Sequence, residues 1–180
     1  MKYIYIPTSE FLLSEPYIDK LTNLFYNQEQ NMIERRIVTV SGGFDPIHPG
    51  HIEYLKEASK LGEVVVILNS DRFLKKKKGY VFMRYKDRQV ILESIKYVSR
   101  VVKCIDKDQS VCKTLEWLKP DIFAKGGDRT LDNIPERDVC IKKGIRMIFN
   151  VGGGKTQSSS WILKNFLQKA QKAKCLTPLS

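Results

Sequence analysis

His48 and His51, the only two histidines of the chain, sit in the stretch Ser41-Gly42-Gly43-Phe44-Asp45-Pro46-Ile47-His48-Pro49-Gly50-His51. On a helix, an i, i+3 spacing puts both imidazoles near one face of the first turn, where both can donate to one cluster of phosphoryl oxygens. The same residues could instead cap the helix, sit satisfied in a core, or begin a metal site, for which Asp45 is the only further ligand nearby in sequence. The glycines do not follow G-x-G-x-x-G, which argues against a dinucleotide fingerprint.

The elements that must hold this pair are a strand and a helix. Residues 37–40 form an apolar, β-branched run that reads as a buried strand; the run breaks at Gly42 and Gly43 and restarts as a helix over 49–61. Gly42 and Gly43 would permit positive φ and close approach of a ligand to backbone, and Pro49 suits the first helical position, which needs no N–H. Free N–H groups and the positive end of the helix dipole then face the loop, which suits an anion such as phosphate.

Beyond that turn, strands and helices alternate. Strands are expected at 37–41, 64–68, 101–105, 122–125 and 146–151, with helices at 49–61, 84–98, 109–119, 134–143 and 158–172. Such alternation implies parallel strands joined by right-handed crossovers, a doubly wound α/β sheet whose ligands bind at the carboxyl ends of the strands. Residues 1–36 read as an appendage, with a short strand at Lys2–Ile6, a helix over 15–26 and a polar connector from Gln28 to Arg36. Residues 37–172 form the main domain and 173–180 a tail.

Three further loops lie at carboxyl ends of strands. Asn69-Ser70-Asp71 precedes Arg72-Phe73-Leu74 and the run Lys75 to Lys78, which reads as a solvated loop or, as a group, as a cover closing on a triphosphate. Arg84 and Arg88 extend the basic face, or pair with Asp87 and Glu93. Lys125-Gly126-Gly127-Asp128 suits close contact with a base or ribose, although a plain tight turn would use the same glycines. Gly152-Gly153-Gly154-Lys155-Thr156 is not a Walker loop, because Phe149 stands where G-x-x-x-x-G-K-[ST] needs glycine. Ser158, Ser159 and Ser160 open the last helix and offer hydroxyls and N–H groups to an anion, or serve one of them as an N-cap.

Composition sets limits. With 180 residues, 42% of them hydrophobic, the chain can bury one sizeable core. No apolar run approaches a membrane span and the start does not fit a signal peptide, so the expectation is a soluble, cytoplasmic protein without membrane contact. The four cysteines lack C-x-x-C spacing and read as reduced thiols. The net charge of +11 is concentrated between Arg72 and Arg88, a patch that attracts nucleotides or nucleic acid.

Taken in order, Gly42 to His51, Asn69-Ser70-Asp71, Lys125-Gly126-Gly127-Asp128 and Ser158-Ser159-Ser160 resemble the motifs of the HxGH nucleotidyltransferase superfamily, also called cytidylyltransferase-like, over residues 37–167. The likeness is greatest to heptose 1-phosphate adenylyltransferase domains and to glycerol-3-phosphate cytidylyltransferase. Departures are Arg129 for an aromatic residue, Ser158-Ser159-Ser160 for Ser-Thr-Thr, and Lys96-Tyr97-Val98-Ser99 for Arg-Tyr-Val-Asp. The resemblance implies a Rossmann-like five-stranded parallel sheet, here with a short N-terminal αβ appendage. It implies transfer of a nucleoside monophosphate, AMP favoured over CMP, from a nucleoside triphosphate to a sugar phosphate or phospho-alcohol, with release of pyrophosphate. His48, His51 and Lys75 would be catalytic. Nucleotide-binding residues would be Gly42, Gly43, Phe44, Asp45, Gly50, Arg88, Lys125, Gly126, Gly127, Asp128, Ser158, Ser159 and Ser160. Mg2+ would accompany the triphosphate, with no protein ligand assigned. A homodimer, as relatives commonly form, is left open. Alternatives are a nicotinate-mononucleotide or pantetheine-phosphate adenylyltransferase and, less favoured, a non-catalytic nucleic-acid-binding protein on the same scaffold.

Overall fold

The computed structural model describes residues 15–34, 36–127, 134–154 and 157–176. Five parallel strands form one sheet in the order β3-β2-β1-β4-β5: β1 (Ile37–Gly42), β2 (Glu63–Leu68), β3 (Arg100–Lys103), β4 (Ile122–Ala124) and β5 (Arg146–Ile148). Order reverses between β1 and β4, and the cleft of such a sheet opens at that point, beyond the carboxyl end of β1. This is the expected Rossmann-like, doubly wound α/β fold.

The register explains why both faces of the sheet are dry. Val38 and Val40 of β1 lie beside Val64 and Val66 of β2 and join Leu55 and Ala58 of α2 (Pro49–Ser59) and Leu92 of α4 (Tyr85–Glu93) in one core. Ile67 and Phe123 point the other way, against Leu115 of α5 (Cys112–Leu118) and Cys140 of α6 (Arg137–Lys143). Strands buried on both faces read as continuous apolar runs rather than alternations, as in Val64 to Leu68. Inside, Thr39 satisfies its hydroxyl on the Ile122 carbonyl at 3.1 Å.

Several bounds differ from the expected ones. The lysine run is helical, α3 (Asp71–Lys78), because Ser70 caps it by accepting from the Phe73 N–H at 3.2 Å and Gly79 ends it in the left-handed region with φ of 83°. Lysines at its last turn also suit the negative end of the helix dipole. The helix expected over 84–98 stops at Glu93, where Ser94 turns its hydroxyl back onto the Val90 carbonyl at 2.8 Å. β5 ends at Ile148, and Asn150 turns the chain with φ of 56°. In the appendage, α1 (Glu15–Glu34) runs through most of the segment expected to be a polar connector, and the strand expected at Lys2–Ile6 lies outside the described residues. α7 (Ser159–Leu176) closes the chain. No described helix is long and apolar enough to cross a membrane.

Candidate active site

The turn after β1 is shaped by close packing. A Cβ on Gly42 would stand 2.9 Å from the Phe44 ring, and one on Gly43 would stand 2.6 Å from a Leu74 methyl. The glycines are needed here for approach and not for backbone angle: positive φ falls on Phe44, at 50°, and on neither glycine as expected. Phe44 is buried and lies with its ring centroid 4.8 Å from that of His51.

The outer side of the turn is clamped. The buried carboxylate of Asp45 accepts from the Met83 N–H at 2.6 Å and the Phe82 N–H at 3.0 Å. The fully buried guanidinium of Arg88 donates to the carbonyls of Gly43, Asn69 and Met83 and to the carboxylate of Asp71. These bonds tie β1, the loop after β2 and the segment before α4 into one frame. Asp45 and Arg88, both expected to face the nucleotide, are therefore turned into protein, because buried charge must find partners and the nearest are backbone groups.

The histidines contrast with that frame. His48 takes the N-cap position of α2 with extended backbone and makes no side-chain cap; its carbonyl accepts from the His51 N–H at 2.8 Å. The imidazoles stack with centroids 3.8 Å apart and planes 22° from parallel. Both Nδ1 atoms are buried without a hydrogen-bond partner among the described residues. Burial, then His48, then Lys78 push the His51 pKa down to about 3, and burial and Lys78 lower that of His48. At neutral pH the pair is uncharged, with each ring able to donate one N–H.

Two cavities meet at His51. One, of about 740 Å3, lies beneath His48, Gly50, Gly126 and Gly127 and reaches Gly152–Gly154 and Ser158–Ser160. The other, of about 620 Å3, is bounded by Gly42, Gly43, Phe44, Asn69, Lys125 and Glu136. Lys77, Lys78, Tyr54 and Ser159 line both. Lys78 holds its ammonium 3.2 Å from the Asp45 carbonyl, and burial lowers its pKa.

Among the serines, Ser158 is the N-cap, accepting from the Trp161 N–H at 3.2 Å, and Ser159 donates to the Pro46 carbonyl at 2.9 Å, fastening α7 to the histidine turn. Ser160 remains exposed at the cavity wall. Lys75, expected to be catalytic, is exposed and lines neither cavity. The reason is helical phase: Lys77 and Lys78 share the side of buried Leu74 at i+3 and i+4, and Lys75 does not. Asp128 lies outside the described residues.

Other contributors carried little sequence signal. Tyr54 donates its hydroxyl to the Ala124 carbonyl at 2.6 Å, and burial raises its pKa. Gly152, with φ of 82°, lets β5's exit loop approach Tyr54, since a Cβ there would stand 2.8 Å from the Tyr54 Cα. Glu136 is buried, pairs with Lys125 at 3.3 Å and accepts from the Val111 N–H at 3.2 Å. Asn69 keeps its Oδ1 buried without a partner among the described residues.

The model of the family described as Cytidylyltransferase-like matches residues 39–151, from the first strand through the last loop of the cleft. The chain belongs to the cytidylyltransferase-like family. Like its family relatives, it is a nucleotidyltransferase. It is 36% identical over 111 residues to the FAD synthase of Aciduliprofundum boonei, a match covering 61% of this chain and 73% of that protein. It is 37% identical over 118 residues to the bifunctional protein HldE of Helicobacter pylori, covering 64% of this chain and 25% of the relative. The HldE of Nitratiruptor sp. is 32% identical over 153 residues, 83% of this chain and 31% of that one. The chain thus spans less than a third of the HldE proteins it matches. Among solved structures, the lipopolysaccharide core biosynthesis protein of Thermoplasma volcanium superposes with a TM-score of 0.55 at 28% identity, over 63% of this chain and 94% of that one.

Proposed function

We propose that this cytidylyltransferase-like protein transfers a nucleoside monophosphate, AMP in preference to CMP, from the triphosphate to the phosphate of a sugar phosphate or phospho-alcohol, releasing pyrophosphate. The observation that carries the reading is the stacked His48–His51 pair, buried at the start of α2 and hydrogen-bonded to no described side chain, where two cavities meet. Relatives named FAD synthase and HldE support adenylyl transfer and a phosphorylated acceptor.

An acceptor phosphate is already an anion and attacks the α-phosphorus in line, so the reaction needs no general base. The carboxylates around the cleft are committed elsewhere: Asp45 to loop amides, Glu136 to Lys125 and Glu53 to Lys56. What remains is positioning and charge stabilisation. His48 and His51 would donate to the α-phosphoryl oxygens as negative charge builds there, Lys77 and Lys78 would offset phosphate charge from α3, and the start of α7 with Ser160 would receive the pyrophosphate end. Gly126 and Gly127 would lie against the base or ribose.

Among the described residues, no three His, Cys, Asp or Glu side chains gather as a metal cage. The donors present, imidazole, ammonium and N–H, suit phosphate oxygens instead, so Mg2+ would enter with the triphosphate and neutralise part of its charge, held by phosphates and water.

The test is magnesium-dependent pyrophosphate release, with ATP and CTP supplied separately. Acceptors are sugar 1-phosphates, glycerol 3-phosphate, FMN, nicotinate mononucleotide and phosphopantetheine, each alone. Release with ATP and a sugar phosphate, glycerol 3-phosphate or FMN is the expected result. Turnover confined to nicotinate mononucleotide or phosphopantetheine would replace the acceptor class, and turnover with CTP alone would replace the base. Silence with every pair, together with steeply salt-dependent binding to duplex DNA or RNA, would move the function to nucleic acid.

A further inference from the structure

An in-line displacement puts the nucleophile and the leaving group on opposite sides of the α-phosphorus. The two cavities that meet at His51 offer two such sides. In the proposed transfer the first, walled by Ser158 to Ser160, takes the triphosphate, and the second, of about 620 Å3, is left for the acceptor. The charged residues of this second cavity are Lys77, Lys78 and Lys125 against Glu136 alone, and Lys125 does not line the first. That surplus of positive charge suits the dianion of a phosphate monoester.

Two further side chains of the lining say more about the rest of the ligand. Asn69, just past β2, is buried, and its main chain is fully engaged: its N–H donates to the Gly42 carbonyl at 3.0 Å and its carbonyl accepts from the Arg88 guanidinium at 3.0 Å. The side chain is left to the cavity, with Oδ1 accepting from nothing among the described residues. Glu136, only 4% exposed, accepts from the Val111 N–H through Oε1. Its Oε2 has the Lys125 ammonium 3.3 Å away but no aligned donor among the described residues. Both free atoms are acceptors, so a phosphate dianion, which brings no donor, cannot satisfy them, and a hydroxyl can.

We infer, resting on the proposed nucleotidyl transfer, that the second cavity holds the acceptor and that Asn69 and Glu136 select one carrying hydroxyl groups beside its phosphate. Lys125 with Lys77 and Lys78 draws the phosphate toward His51, where one of its oxygens bonds to the α-phosphorus as the bond to pyrophosphate breaks. Asn69 Oδ1 and Glu136 Oε2 accept from the hydroxyls of a sugar or polyol, whose C–H groups lie on the apolar wall formed by Phe73 and Ile134. A phosphate on an unhydroxylated carbon frame leaves both acceptors unpaired, and a site built to bond a hydroxyl discriminates strongly against the analogue that lacks it.

Isothermal titration of the full chain without nucleotide reads this preference on the acceptor alone. Glycerol 3-phosphate is paired with propyl phosphate, and glucose 1-phosphate and mannose 1-phosphate with cyclohexyl phosphate, so that each pair shares its charge and size and differs in hydroxyls. At least one hydroxylated probe should bind about tenfold or more tightly than its counterpart. Asn69→Ala should remove most of that ratio and Glu136→Gln should reduce it, while the Kd of ATP, titrated with magnesium, stays within about twofold in both. The ratio within a pair cancels any change in how the lysines hold the phosphate. Equal binding within every pair overturns the inference from the wild-type protein alone, even if a variant fails to fold. A ratio unchanged in Asn69→Ala overturns it too, as does a loss that falls on ATP instead, which would assign Asn69 to the nucleotide. The inference and the transfer it rests on fail separately, because binding is read without turnover. A hydroxyl preference without pyrophosphate release keeps the ligand class of the cavity and removes the transfer. Release with an acceptor whose KM Asn69→Ala leaves unchanged keeps the transfer and removes the selection.

Discussion

Asp45 with Arg88, and His48 with His51, both bear on the turn between β1 and α2, the first pair fully buried and the second less so, and they are opposites. In the first pair the charged atoms are met by backbone N–H groups, carbonyls or a carboxylate. In the second the inward nitrogens meet nothing among the described residues. Buried polar groups are nearly always satisfied, so this unsatisfied pair beside a cavity is where the proposed ligand would bind. The clamp fixes the turn, and in the proposed reaction the histidines would donate to a ligand oxygen from it.

The contrast makes predictions that separate stability from activity. Arg88→Met should have the largest effect, about 3–5 kcal/mol of stability, because it leaves Asp71 and three carbonyls without their donor; a urea midpoint measures it. His48→Ala or His51→Ala should reduce pyrophosphate release by about 10²–10³ with the fold intact. Full activity in either variant would dismiss the proposed role of the pair.

Acid sensitivity follows from the depressed pKa of His51. Between about 3 and its ordinary 6.5 the unfolded chain binds a proton there that the folded chain does not. Stability must then rise with pH over that window and fall as the solution is acidified, by up to about 1.4 kcal/mol per pH unit for one such group. His51→Asn should flatten the stability profile between pH 6 and pH 4 by about that slope, a difference seen by comparing denaturation of the two proteins at each pH. The smallest effect distinguishes the lysines: Lys78→Ala should raise the KM for the triphosphate about tenfold, and Lys75→Ala should leave it unchanged.

The fold was readable because its signal is long and redundant. Apolar runs such as Val64 to Leu68, separated by helical periods, can be arranged in few ways, and the structure adopts the expected one. Local chemistry that hides within a charge run was harder to see. Ser70 and Gly79 cap α3 at either end, but four successive lysines suggested a loop and left the inward phase of Lys77 and Lys78 unread. The site was readable in its types and less so in its directions. His48, His51, Gly126, Gly127 and the serines all reach a cavity, because each adjoins a strand end whose position the topology dictates. Asp45 and Arg88 bear charges that suit a nucleotide equally well, and only their backbone partners, up to 45 residues away in sequence, reveal where they point. Glu136 could not be anticipated at all, since its link to Lys125 depends on how α6 returns to the cleft.

The short outer strands carry a consequence for behaviour in concentrated solution. β3 and β5, at the two margins of the sheet, run only over Arg100–Lys103 and Arg146–Ile148, and Arg100, Lys103 and Arg146 are exposed. An unpaired margin is a template on which a stranger's extended segment can add, and brevity with positive charge is a means of refusing it. Short, positively charged margins thereby disfavour growth into fibrils by sheet extension.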